Sequence, residues 1–407
     1  MTFRKLIFWP HLIAGSLAGI VILIMSVTGV LLTYERQIID WADMRSLKPA
    51  PTALGSPRLE PEELIAKVRE SAGSTPVAIT IRSEESAPVA FSYGREKTIF
   101  VDSRSGEVLG EGSAGTRKFF REMTVWHRWL GAEAGPSQAT GKAITGASNL
   151  MFLFLVMSGF YLWFPRQWTW QHLKPITWFR GGLSGKARDF NWHNVFGFWM
   201  AIPLFFVVVS ATMFSYPWAT QLVYTLTGTE APAPIAKGKG GEGKKRKGSA
   251  KGEKKGAPAA LESLPADAPL DGLNAAIGKA QDAVPGWLIV SARIGGPLSI
   301  TVDKAERGRP DLRSAFAVDR ETGDLRLTES FSGYNTGRRV RTWLRWIHTG
   351  EAGGFAGQTL AGIASLAGVF LVYTGIALAL RRFAAWRERS RRPERRESEP
   401  EPAAARR

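Results

Sequence analysis

Four stretches without a charged residue, Leu6 to Thr33, Ala143 to Pro165, Asn194 to Pro217 and Thr359 to Leu380, constrain this 407-residue chain more than anything else in it. Each reaches the roughly 20 residues with which an α-helix crosses ~30 Å of hydrocarbon. A bilayer offers backbone groups no water to bond, so such segments close their own hydrogen bonds as helices. The mean hydropathy of −0.09 conceals them, because the polar segments between the spans dilute the average. Arg4 and Lys5 precede the first span as in a signal peptide. Its apolar run is far longer than an h-region and no small-x-small cleavage site precedes Tyr34, so a retained signal-anchor is expected.

Orientation follows from the basic residues of the short loops. Arg166, Lys174, Arg180, Lys186 and Arg188 face Asp189 alone between the second and third spans, and ten Arg follow the fourth. Both termini are therefore expected in the cytoplasm of a bacterial inner-membrane protein, with the two long segments in the periplasm. Trp9, Trp126, Trp129, Trp163, Trp168, Trp192, Trp218, Trp343 and Trp346 fall near span ends, as an interfacial aromatic belt requires.

The chain has no cysteine, which excludes disulfides, thiolate zinc sites, iron–sulfur clusters and covalently attached haem. Of the net charge of +17, the run Lys237 to Lys255 supplies +7 from nine Lys/Arg and two Glu. Its Gly/Lys repetition cannot bury a core, so a solvated insertion over 231–260 is expected, and no binding module beside it suggests a nucleic-acid partner. No phosphate loop, zinc-protease, nucleophile-elbow or dinucleotide motif occurs.

The chain repeats itself. His11 and Thr28-Gly29 in the first span match His193 and Ser210-Ala211 in the third, with 17 residues from His to hydroxyl in both. His127 with Ser158-Gly159 matches His348 with Thr374-Gly375. Between the spans, an amphipathic helix from Pro61 to about Ser71 and alternating runs Val77–Arg82, Val89–Tyr93 and Thr98–Asp102 correspond to Leu273–Ala283, Trp287–Ile294, Leu298–Asp303 and Ala315–Asp319. Both series end in an Asp with a Gly four residues on, Asp102/Gly106 and Asp319/Gly323, which is hairpin chemistry.

Four of the five histidines thus occupy matched positions, His11 and His193 toward one leaflet, His127 and His348 toward the other. Facing imidazoles between helices are axial ligands of low-spin b-type haem, so two haems are expected, one near each surface, relaying electrons across the bilayer. Arg128, Arg341 and Arg345 stand available for propionates on the outer side, Arg4 (or Lys5) and Arg188 on the inner. His172 has no duplicate and reads as a surface side chain. The competing reading is a non-catalytic membrane scaffold binding a periplasmic partner such as a peptidase; it has no need of imidazole pairs in both leaflets.

The segments His11 to Gly29, Trp126-His127-Arg128-Trp-Leu-Gly131, Ser158-Gly159-Phe-Tyr-Leu-Trp163, Trp192-His193-Asn194-Val-Phe-Gly197 and His348-Thr349-Gly350-Glu351-Ala-Gly353-Gly354 resemble the PepSY-associated transmembrane family, including FoxB-type ferric-siderophore reductases. The resemblance covers nearly the whole chain. It implies that His11, His127, His193 and His348 ligate haem and that electrons pass to periplasmic ferric siderophores, releasing Fe(II). The donor would be quinol or a separate cytoplasmic flavin or NAD(P)H reductase. The organisation it implies is an α-helical membrane protein, four transmembrane helices in an internal duplication carrying two small periplasmic α+β PepSY-like domains. In order these are a span at 1–33, the first domain at 34–118, an interfacial helix and span at 119–165, and a cytoplasmic loop at 166–192. A span at 193–217, the second domain at 218–338 with its insertion, an interfacial segment and span at 339–380, and a basic tail at 381–407 follow.

Overall fold

The computed structural model describes residues 2–48, 57–94, 97–165, 167–231, 269–305, 307–319 and 322–391. The expected Lys/Gly insertion lies outside them from 232 on, as does the basic tail beyond 391. In chain order the first half comprises α1 (Phe3–Leu32), α2 (Glu35–Ser46), α3 (Pro61–Ala72), β1 (Ala78–Arg82), β2 (Val89–Tyr93), β3 (Lys97–Val101), β4 (Val108–Gly110), α4 (Ala114–Trp129) and α5 (Gly135–Trp163). There follow α6 (Trp170–Thr177), α7 (Gly185–Ser215), α8 (Pro217–Leu226), α9 (Leu273–Ala283), β5 (Ile289–Arg293), β6 (Ser299–Asp303), β7 (Arg313–Val318), β8 (Leu325–Ser330), α10 (Thr336–Thr349) and α11 (Gly354–Arg391). They gather into two units: one takes residues up to Thr33, Glu122–Pro217 and from Ile347 on, the other Tyr34–Arg121 and Trp218–Trp346.

The first unit is helical, and α1, α5, α7 and α11 are long and apolar enough to cross a membrane. All four extend beyond their charge-free runs, α1 taking in Arg4 and Lys5, α5 Lys142, α7 Lys186, Arg188 and Asp189, and α11 continuing to Arg391. A helix continues through the headgroup zone, where Lys and Arg bury their stems and keep their charge in water. The four form a ring in which α1 and α7 each pack on both α5 and α11. Gln358 Nε2 donates to Thr33 O (3.1 Å), tying the start of α11 to the end of α1. Asn149 Nδ2 donates to Val208 O (3.1 Å) and Thr212 Oγ1 (2.9 Å), and Gly146 lies against Ser215 and Tyr216, tying the first half of α5 to the end of α7. Neighbours are therefore antiparallel, and α1 and α7 run parallel across the ring. Small residues allow the close approach that substitutes for hydrophobic drive in lipid; a Cβ at Gly368 would lie 2.7 Å from Ser26 Oγ. Leu17, Ile20, Met157 and Ile202 are exposed, an apolar exterior that lipid solvates.

The second unit is α+β. Its sheet runs β4-β3-β2-β1-β5-β6-β7-β8 with antiparallel neighbours throughout. At its centre β1 meets β5 with Ile79 opposite Ala292 and Thr80 opposite Ser291. Leu64, Ile65 and Val68 of α3 and Leu273, Ala276, Ile277 and Ala280 of α9 share one core with Ile79, Phe91, Val101, Val290, Ile300 and Val302. The two helices also cap one another: Glu62 N donates to Asn274 Oδ1 (2.9 Å) and Asn274 N to Glu62 Oε1 (3.1 Å). The β3–β4 turn is closed at Asp102, whose Oδ1 accepts from Ser105 N (2.7 Å) and Arg104 N (3.0 Å), and by Gly106 at φ 74°. Burial pushes the Asp102 carboxyl up, but those amides and the Ser105 hydroxyl outweigh it and hold it below the usual carboxylate range. Gly323, at φ 65°, turns β7 into β8 with its amide on Asp319 O (2.8 Å).

Sequence patterning counted two small α+β domains here. They are one sheet over one core, because isolated four-stranded halves would each leave β1 or β5 as an unpaired edge, and pairing them satisfies both rows of backbone groups.

Candidate functional site

All four matched histidines belong to the helical unit, and the structure assembles them as two pairs supported in the same manner. His127 lies in the last turn of α4 and His348 in the last turn of α10. Their ring centroids stand 6.3 Å apart with planes inclined at 58°. Two imidazole nitrogens bound from opposite sides at ~2 Å to one metal ion would set their ring centres roughly 6 Å apart. Thr28 Oγ1, near the end of α1, lies 3.0 Å from His127 Nδ1. His348 Nδ1 lies 2.9 Å from Val207 O and 3.3 Å from Ser210 Oγ, both on α7, and the Phe214 ring meets it edge-on at 5.4 Å. Burial pushes the His127 imidazole down to about 4, the neighbouring His348 ring adding to the fall, and burial lowers His348 as well. Both rings are thus neutral near pH 7, the form that binds metal.

The other pair sits toward the opposite ends of the same long helices. His11 Nδ1 meets Ser158 Oγ of α5 at 2.8 Å, and His193 Nδ1 meets Thr374 Oγ1 of α11 at 2.9 Å. His11 and His193 are near enough to interact electrostatically. Along α1 and along α7 the 17 residues from imidazole to hydroxyl amount to a rise of about 26 Å, so each of these two helices contributes a ligand candidate at one end and the support of a second at the other, while α5 and α11 contribute only a hydroxyl. The hydroxyl partners had been visible as recurring hydroxyl-small dipeptides, but not their pairing. Each contacts the histidine of another helix rather than its own. Among the described residues, no hydrogen bond engages Nε2 of any of the four, so one ring nitrogen of each is available for a metal.

The arginines distribute less simply. Arg4 donates to Phe164 O and Leu162 O, closing the C-terminus of α5. Arg188 and Arg381 grip the fully buried Asp189, and Arg188 also reaches Tyr373 OH (3.2 Å). Arg128, exposed beside His127, lies over the Trp129 ring at 4.6 Å. Arg341 and Arg345 precede His348 on α10; both are exposed, and Arg345 lies over the Trp346 ring at 5.3 Å. His172 joins neither pair; exposed on α6, it meets only its own turn at Thr169 Oγ1 (2.7 Å). Among the described residues, no three His, Asp or Glu converge as a metal cluster, so each candidate centre is an imidazole pair.

Geometry and composition together define a four-span helical membrane protein bearing two half-buried imidazole pairs and a separate α+β unit. The model of the PepSY-associated TM region matches residues 8–382, and the chain belongs to that family. No curated protein matches it.

Proposed function

We propose that this protein is a di-haem b-type electron carrier of the bacterial inner membrane that reduces ferric siderophores in the periplasm. Haem, when bound, supplies reversible one-electron Fe(III)/Fe(II) chemistry. His127 and His348 hold one haem, His11 and His193 the other. What carries the reading is the His127–His348 pair, 6.3 Å between centroids, with Nδ1 of both rings tied back to helices and Nε2 unengaged. With an imidazole from each member of a pair on the iron, the haem would suit relay rather than oxygen activation. Among the described residues Arg128 beside His127, and Arg341 and Arg345 before His348, make no ion pair and are suited to propionates.

Lys174 and Arg180 lie on the connection between α5 and α7, and Lys186 and Arg188 in the first turn of α7, which favours a cytoplasmic loop and termini and a periplasmic sheet unit. The halves α1–α5 and α7–α11 read as an internal duplication, α3–β4 and α9–β8 being its PepSY-like domains. Electrons enter from quinol or a separate flavin or NAD(P)H reductase, and one electron per ferric chelate converts Fe(III) to Fe(II), which the siderophore holds weakly. Reduced-minus-oxidised spectra of the purified chain, with a pyridine haemochrome assay, test the reading. Reduced b-type bands at about two haems per chain are expected; a colourless, folded protein would turn the assignment to a scaffold that binds a periplasmic partner.

A further inference from the structure

Behind the four imidazoles stand four hydroxyls whose protons are already committed. Thr28 Oγ1 donates to Ile24 O (2.7 Å), Ser158 Oγ to Phe154 O (2.6 Å), Ser210 Oγ to Phe206 O (2.7 Å) and Thr374 Oγ1 to Phe370 O (2.7 Å). This is the back-bond to the preceding turn that Ser and Thr make inside helices. A hydroxyl has one proton and two lone pairs. Once the proton is given to a carbonyl, the oxygen can only accept from the imidazole, so the facing Nδ1 must carry hydrogen. At His348 the Val207 carbonyl, an acceptor by nature, imposes the same tautomer at 2.9 Å.

The glycine after Thr28, Ser158 and Thr374 makes room for the ring. A Cβ at Gly159 would come within 3.2 Å of His11 Cε1, one at Gly375 within 3.4 Å of His193 Cε1, and one at Gly29 within 3.5 Å of His127 Cε1. At these three positions the hydroxyl-glycine dipeptide is thus a seat, with an acceptor for Nδ1–H and a bare backbone under the adjoining ring carbon.

We propose that Thr28, Ser158, Ser210 and Thr374 are positioning residues that lock the four histidines as Nδ1–H tautomers and so select Nε2 as the metal-binding atom. The inference rests on the haem reading for what Nε2 binds, while the tautomer itself is a property of the protein alone. A Ser or Thr present only for its helix would be indifferent to the imidazole, and four such side chains would not each meet an Nδ1.

The test uses the full chain with nitrogen-15 histidine, before and after haem loading. Thr28→Val and Thr374→Val keep the side-chain volume and remove the acceptor; Thr28→Ser restores it. In the haem-free wild type, Nδ1–H resonances are expected for the matched histidines. Thr28→Val is expected to mix the tautomers of His127 alone, Thr374→Val those of His193 alone, and Ser210→Ala to do least because Val207 O still holds His348. In the loaded protein, losing the acceptor is expected to weaken metal affinity at that centre ~10–100-fold. Its midpoint potential is also expected to rise, because the Nδ1–H bond makes the ligand more basic and favours the ferric state. Unchanged tautomers and an unchanged potential in both Val variants would overturn the proposal even with haem fully bound. If the wild type takes up no haem, the haem reading falls on its own. The nitrogen spectra still decide the tautomer claim: Nδ1–H lost in the Val variants upholds it, and Nε2–H in the wild type overturns it.

Discussion

If each imidazole pair holds one haem as proposed, removing either partner would cost that centre, and no histidine belongs to both pairs. His127→Ala or His348→Ala is therefore expected to abolish the low-spin signal of one centre, and His11→Ala or His193→Ala that of the other, leaving about half the haem each time. Electron paramagnetic resonance with a haem assay reads this directly, and equal haem in all four variants would sink the assignment. These histidines were legible because four of the five stand in recurring motifs of matched spacing. The arginines were not. A sequence shows cations gathering at span ends, but whether a guanidinium remains available depends on nearby acceptors, and Arg4 is taken by carbonyls at the end of α5 while Arg188 is taken by Asp189.

At the level of elements, the short helix carrying His127 is held in place by its end. Thr145 Oγ1 donates to Arg128 O (2.9 Å), and the Trp129 carbonyl sits directly over Gly141 of α5, its carbon 2.8 Å from where a Cβ would stand. Gly141→Ala is expected to push the end of α4 outward at an overpacking cost of ~1–3 kcal/mol. The low-spin signal of the His127 centre should weaken while that of the His11 centre persists, and both centres keeping wild-type spectra would refute this. Gly115→Ala, in the first turn of α4 with open space around it, is the control. Helical periodicity placed α9 to the residue and α3 within one. The strands β4 and β8 went unseen because one has only three residues and the other is exposed along most of its length, so neither presents an alternating pattern.

For the molecule as a whole, the absence of cysteine makes sidedness measurable, since any introduced thiol is the sole target. Ser86→Cys in the sheet unit and Ser184→Cys just before α7 are both exposed positions. With the proposed orientation, a membrane-impermeant maleimide added to intact spheroplasts labels the first and not the second, and the reverse pattern would invert the topology. The four spans were legible in the sequence, since hydropathy is a local quantity. The joining of the two α+β segments was not, because β1 finds β5 across a gap that no local pattern spans.

That gap sets a schedule for synthesis. Thr80 and Ser291, whose hydroxyls meet at 3.2 Å across the central strand pair, are 211 residues apart. At translation rates of ~5–20 residues per second, β1 waits roughly 10–40 s for its partner. Throughout that interval its outer row of amides and carbonyls is an open edge on the first half-sheet, able to pair with a neighbouring nascent chain. Slowing translation between the two halves should therefore lower the yield of native protein through edge-to-edge association.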